Sequence, residues 1–356
     1  MGSRRQSPGH ALWHPFADMG AVASRPFTVA RSDDVWIWDT HGRRYLDACA
    51  SLWYANLGHG RPEIADAVAR QLRTLDAYNM FADFANGPAL ELADRLSDKA
   101  PVSGCKVFLG SGGGDAIDTA AKLARAYHRC RGFPTRTHLI SREHSYHGTH
   151  GVGTGIAGIA ANAVHFGDLV PDSSVIPCDD ADGLEVEIQR IGADRVAAFF
   201  CEPVIGAGGV LAPPEGYLER VDETCSHYGV LLVADCVIAG FGRLGTWFGI
   251  YRWPVWPDLV TLAKGITGGA PPLGAVVASP EVAEPFFTRI RARRSCDTVR
   301  LMPGIRRSAP RRTLPWTSMN VMGSSPEEGS WKCPSWRQSY RSPSTQWSPR
   351  SEAAWA

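Results

Sequence analysis

The sequence predicts an α/β protein on a doubly wound, mostly parallel sheet. Two observations carry this. Short runs rich in Val, Leu and Ile show no alternation with polar residues, as expected of strands covered on both faces. These runs alternate with segments of helical spacing, and repeated βα units make parallel neighbours. The clearest run is Leu231-Leu232-Val233-Ala234-Asp235, which ends on a carboxylate and is followed by Gly240-Phe241-Gly242-Arg243. Ligands of open α/β sheets sit beyond the carboxyl ends of strands. An acid delivered there is partly desolvated, which is costly unless a cation meets it. Asp258-Leu259-Val260-Thr261-Leu262-Ala263-Lys264-Gly265 repeats the plan with an amine. An acid and an amine at adjacent strand ends can hold a charged heterocycle between them.

The elements follow in order. Val35–Asp39 and Arg44–Asp47 flank Thr40-His41-Gly42-Arg43, a hairpin with Gly in its turn. Ala50-Ser51-Leu52-Trp53-Tyr54 leads to a loop at Gly58-His59-Gly60. Ile64, Val68, Leu72 and Leu75 recur at helical spacing behind Pro62, and Ala89–Leu96 continues as helix. Strands are expected at Val107–Leu109, Thr137–Ser141, Val196–Cys201, Val230–Ala234, Leu259–Leu262 and Gly274–Ala278. Helices are expected over Asp115–His128, with Ile117, Ala121, Leu123 and Ala124 inward, and over Tyr217–Tyr228.

The pattern stops near Arg289. Residues 289–356 hold only six Val, Ile, Leu or Phe against twelve Ser, seven Pro and five Trp. That composition buries too little apolar surface to offset ordering entropy, so an unstructured tail is expected. Net charge is +1 overall, but the tail carries 13 Lys+Arg and 4 Asp+Glu, leaving the rest at −8. With no organised basic face, nothing points to nucleic acid or to a membrane. Nine cysteines without a CxxC pair suit a reducing compartment. Neither a secretory signal nor a membrane-length apolar run is evident, so the expected location is the cytoplasm.

Three motifs lie where strands end. Gly110-Ser111-Gly112-Gly113-Gly114 joins a strand to a helix, and a glycine turn at a helix N-terminus suits a phosphate. An ordinary tight turn capped by Asp115 fits the same residues. Glu143-His144-Ser145-Tyr146-His147-Gly148 brings aromatic rings to the same edge, where one could stack on a planar ring. His144, His147 and His150 are three apart, but in a loop that spacing fixes no metal geometry. Glu202-Pro203-Val204 follows Val196–Cys201 and reads either as a strand-end cap or as a site residue. A lysine at a buried strand end beside Asp235 favours function over a solvated surface charge.

From about His14 to about Pro285 these motifs, in this order, resemble the class III pyridoxal-phosphate-dependent aminotransferases of fold type I. The resemblance rests on Phe108 to Ala116, Tyr146-His147-Gly148, Glu202-Pro203-Val204 with Gly206 to Val210, Pro213 to Leu218, Asp235 to Arg243, and Lys264-Gly265-Ile266-Thr267. It implies that Lys264 forms the Schiff base and that Asp235 keeps the pyridine nitrogen protonated. It implies that Tyr146 stacks on one ring face and Val237 on the other. Ser111, Gly112 and Gly113 hold the phosphate, His147 and Glu202 line the cofactor site, and Trp53 lines the substrate pocket. The implied reaction is ping-pong transfer of an amino group from an ω-amino acid or amine to a keto acid such as pyruvate, in a homodimer. The competing readings are another reaction of the family, namely aminomutase, racemase or decarboxylase, and a non-catalytic fragment. The implied division is a disordered start at 1–12, an N-terminal part of the small domain at 13–60, a cofactor-binding large domain at 61–288, and an aberrant tail at 289–356.

Two departures stand out. Cys236 occupies a position where the family usually has Glu, so any hydrogen bond or ion pair of that Glu is lost. The family's Thr-Tyr-Ser/Ala-Gly-His-Pro segment and small C-terminal domain are absent from 289–356, leaving an incomplete small domain and a chain expected to lack part of its site. The genetic code suggests why. Joining the third base of each codon to the first two of the next forces Ala at Met302-Pro303, Asp at Trp316-Thr317, Glu at Met319-Asn320 and Gly at Met322-Gly323. The neighbouring choices permit Thr-Tyr-Ala-Gly-His-Pro across Arg300–Arg306. The expectation is a reading-frame slip between about Phe287 and Asp297.

Overall fold

The computed structural model describes residues 11–22 and 27–288. The expectations for the extreme start and for the 289–356 tail, including its lack of structure, lie outside these residues. Ten strands and nine α-helical segments are described.

The N-terminal part holds a short helix α1 (Met19–Val22), then an antiparallel sheet of β1 (Val29–Asp33), β2 (Trp36–Asp39) and β3 (Arg44–Leu46), in that order. The β2–β3 hairpin was expected; β1 was not, because all five of its residues are exposed. A kinked segment α2 (Ala50–Trp53) follows, then α3 (Pro62–Thr74) and α4 (Gly87–Asp98). Pro62 opens α3 at a position where its missing N–H costs nothing. Asn86 caps α4 by accepting from Ala89 N at 3.0 Å.

The main sheet has seven strands. They are β4 (Lys106–Gly110), β5 (His138–Arg142), β6 (Ser173–Ile176), β7 (Val196–Cys201), β8 (Leu231–Asp235), β9 (Leu259–Leu262) and β10 (Gly274–Ala278), in the order β4-β10-β9-β8-β7-β5-β6. Parallel pairing links β9, β8, β7, β5 and β6, while β10 runs antiparallel to both β9 and β4. Only β10 is therefore reversed, and the other six strands end at one edge.

Helices α5 (Gly113–Cys130), α6 (Gly151–Gly155), α7 (Asp182–Ile191), α8 (Tyr217–Tyr228) and α9 (Pro280–Phe287) complete the order. The sheet residues divide between two apolar clusters. Val196, Phe199, Leu232, Val260 and Val277 pack with α4, α7 and α8; Phe200, Leu231, Val233, Val276 and Ala278 pack with α5 and α9. The two faces are thus covered by different helices, the doubly wound arrangement expected from unalternating strands. Phe199 and Phe200 are fully buried on opposite faces, each contributing on the order of 2–3 kcal/mol of apolar burial. Among the described residues no helix is long and apolar enough to cross a membrane.

Candidate functional site

The parallel strands deliver their chemistry to one edge. Beyond the carboxyl ends of β4, β5, β7, β8 and β9 lies a cavity of about 370 Å³, lined by Ser111–Gly114, Tyr146–His150, Glu202, Asp235, Val237 and Lys264 among others. Nine of the ten residues singled out from sequence line it or neighbour it directly at this edge. The tenth, Trp53, comes from the N-terminal layer and puts its ring centroid 5.9 Å from Lys264 Nζ.

Asp235 is the last residue of β8 and is 5 % exposed. Three groups satisfy its carboxylate. His147 Nδ1 stands 2.8 Å from Oδ2, and Val237 N and Thr261 Oγ1 donate to Oδ1 at 3.0 and 3.3 Å. Facing a carboxylate, which only accepts, Nδ1 carries the proton. His147 is itself buried, and its Nε2 has no partner among the described residues. His147 thus acts on Asp235 from behind.

Glu202 follows β7 and is also buried. Its Oε1 accepts from Tyr146 N and its Oε2 from Gly206 N, each at 2.9 Å. Burial first, and Asp235 second, push its carboxyl above the usual range. The backbone carbonyl of Glu202 accepts from Arg142 Nη2. Arg142 is buried at the end of β5, with its guanidinium 5.2 Å from the Tyr217 ring centroid. It therefore fixes the backbone from which Glu202 projects. The sequence offered no signal for this residue, since a lone Arg ending a strand reads as exposed.

Lys264 opens a 3₁₀ turn after β9 with φ +50. Burial pushes its amine below the usual lysine value, against the pull of Asp235 and Glu202. An amine so placed is easier to hold neutral, as a nucleophile requires.

The glycine turn is shaped by close contacts. A Cβ on Gly113 would meet Val237 Cγ1 at 3.0 Å, and one on Gly274 would meet Gly112 O at 2.2 Å. The start of α5 is thus wedged between β10 and Val237, two residues beyond Asp235. Ser111 lines the cavity, yet both its N–H and its hydroxyl donate to Asp115 Oδ2, at 2.8 and 3.2 Å. The capping by Asp115 is therefore present, and it engages both donors of Ser111.

Three further contacts escaped the sequence. Asn56 Nδ2 donates to Phe241 O at 2.9 Å, and Arg243 Nη2 donates to Asn56 Oδ1 at 2.8 Å, tying the N-terminal layer to the turn after β8. Phe16 sits edge-on to Tyr146, with ring centroids 6.2 Å apart. Cys236 does not line the cavity. It is fully buried with Phe248 and Ile250 on the face away from it, where burial pushes its thiol well above the usual value. His147 and His150 face different partners, Asp235 and Gly114.

The family described as aminotransferase class-III matches residues 19–289. A probable aminotransferase from Mycobacterium tuberculosis is 40% identical over 292 residues, covering 77% of this chain and 62% of the relative. A putrescine–pyruvate aminotransferase from Pseudomonas aeruginosa is 38% identical over 290 residues, covering 76% and 63%. An amine transaminase from an uncultivated Pseudomonas species, solved in its PLP-bound form, is 35% identical with a TM-score of 0.74, covering 78% of this chain and 67% of that one. The chain spans less than two thirds of the length of these two curated relatives.

Proposed function

Because the chain belongs to the aminotransferase class-III family, we propose that it holds pyridoxal 5'-phosphate at this strand edge and moves an amino group between an amine donor and a keto acid. The supporting observation is the meeting of one buried carboxylate, Asp235, and one partly desolvated amine, Lys264, in a single cavity at the ends of adjacent parallel strands.

The residues fit the group. Gly113 and Val237 both line the cavity, and a Cβ on Gly113 would press on Val237, so the glycine turn packs directly against the residue beside Asp235's strand end. The first N–H groups of α5 lack intrahelical partners and suit a phosphate. When bound, pyridoxal phosphate supplies an aldehyde that captures amines and a ring that draws electrons from the substrate carbon. Asp235 would hold a proton at the ring nitrogen, with His147 and Thr261 orienting its carboxylate. Tyr146 and Val237 pack the two ring faces. Lys264 Nζ would carry the proton between the donor carbon and the cofactor carbon, and its lowered basicity favours giving the proton up as well as taking it. Trp53 borders the substrate side.

The donor class favoured is an ω-amino acid or amine, and the acceptor a keto acid such as pyruvate, in a ping-pong sequence; relatives named for putrescine–pyruvate and β-alanine–pyruvate transfer support that reading. The working form is taken to be a homodimer. The chain's short span against its relatives favours one competing reading, that it holds the cofactor without turning over.

Purified full chain mixed with pyridoxal phosphate is expected to develop visible imine absorbance that Lys264→Ala abolishes, and to convert pyruvate to alanine when given an amine. Absence of a Lys264-dependent visible band in folded protein overturns the cofactor assignment. A band without alanine formation leaves the non-catalytic reading.

A further inference from the structure

His150 is a titratable side chain of the cavity with no part in the proposed transfer. It lines the cavity together with Ser111, Gly112, Gly113 and Gly114. Its ring lies against Gly114, the second residue of α5. A Cβ built on Gly114 would meet His150 Cδ2 and Cγ at 3.1 Å and Nδ1 at 3.4 Å. The imidazole thus fills the space that a side chain at Gly114 would take.

Its approach is enforced by the backbone. A Cβ on Gly148 would lie 2.9 Å from Gly114 Cα, so the loop carrying His150 is pressed onto the start of the helix. The donors at this end are unevenly available. The N–H and hydroxyl of Ser111 are engaged by Asp115. That carboxylate also brings negative charge to the first turn, so an anion there gains from a donor facing it from outside the helix. His150 offers one. Its side chain makes no hydrogen bond to the described residues as the cap of α6, and an imidazole retains at least one N–H in either protonation state.

We propose that His150 is a phosphate-binding residue, donating from its ring to the phosphate at the start of α5 from the place a Gly114 side chain would otherwise occupy. This rests on the pyridoxal-phosphate reading and adds which side chain completes its phosphate end.

The test compares two probes, pyridoxal 5'-phosphate and pyridoxal, which differ only in the phosphate. Affinities are read from the visible band of the full chain, not from turnover. His150→Ala is expected to weaken pyridoxal phosphate by roughly ten- to a hundredfold, the loss of a hydrogen bond to an ionised group, and to leave pyridoxal unchanged. His150 is exposed, so the substitution spares the fold, which far-UV circular dichroism checks. Adding Gly114→Ser to His150→Ala puts a hydroxyl beside the vacated space and is expected to recover part of the preference. If wild type and His150→Ala prefer the phosphorylated probe equally, the proposal is overturned while the cofactor reading stands. If wild type forms no band with either probe, the cofactor reading fails and takes this one with it.

Discussion

A carboxylate buried at the end of a strand is costly unless donors are turned toward it, and Asp235 has three. The sequence exposed the acid, because an apolar run ending in Asp is conspicuous. It did not expose Thr261, a hydroxyl inside β9 whose side chain happens to face β8. Asp258 shows the opposite case at the other end of the same strand pair. Its Oδ2 accepts from Leu232 N at 2.8 Å, but burial, with Glu281 and Asp222 adding, pushes its carboxyl up to about 7. The folded state therefore binds this proton more tightly than the unfolded chain, whose carboxyl titrates at about 3.9. Between these values the folded form holds more protons, so stability falls as pH rises and the full penalty is present above about 7. Asp258→Asn keeps an oxygen for Leu232 N and removes the charge. It is expected to raise the melting temperature by several degrees at pH 8 and to change it little at pH 4. An equal shift at both values shows that charge is not the cause.

The joint between β4, β10 and α5 is the element on which the cradle depends. Gly274 pairs with Gly110 and lies so close to Gly112 O that a methyl group cannot fit without displacing backbone. Gly274→Ala is expected to cost roughly 1–3 kcal/mol, the range for overpacking, and to weaken pyridoxal phosphate binding by moving the 110–114 turn. Urea denaturation and titration of the visible band measure the two effects; a variant of unchanged stability contradicts the packing argument. This joint also marks how far the elements were legible. Six main-sheet strands and the long helices α5 and α8 follow from uninterrupted apolar runs and helical spacing. Others gave no such signal. β6 is an edge strand beginning Ser173-Ser174, and α9 contains Pro280 and Pro285, which read as breaks. Of the site, the strand-end acid, amine and glycines were readable because strand ends are. Asn56 and Arg142 were not, since each contact joins distant segments through backbone carbonyls.

At the scale of the molecule, the N-terminal layer is built as though more chain should cover it. Helix α3 is amphipathic yet has no buried residue, and Val68 and Leu72 are 38% and 57% exposed. Apolar stripes of this kind mark surfaces meant for another partner. The family match stops at residue 289, within the interval where the codon argument puts a frame slip. Both observations favour reading 289–356 as out-of-frame translation that replaced the family's C-terminal segment. Sequencing the gene across codons 287–297 decides the first half: codons that cannot spell Thr-Tyr-Ala-Gly-His-Pro in the shifted frame end the idea. The second half is physical. A gene with the frame restored is expected to yield a protein that binds less of a hydrophobic dye, melts at higher temperature and forms alanine from pyruvate faster than the chain as encoded. Equal dye binding by the two proteins means that the missing segment does not cover α3, whatever the gene spells.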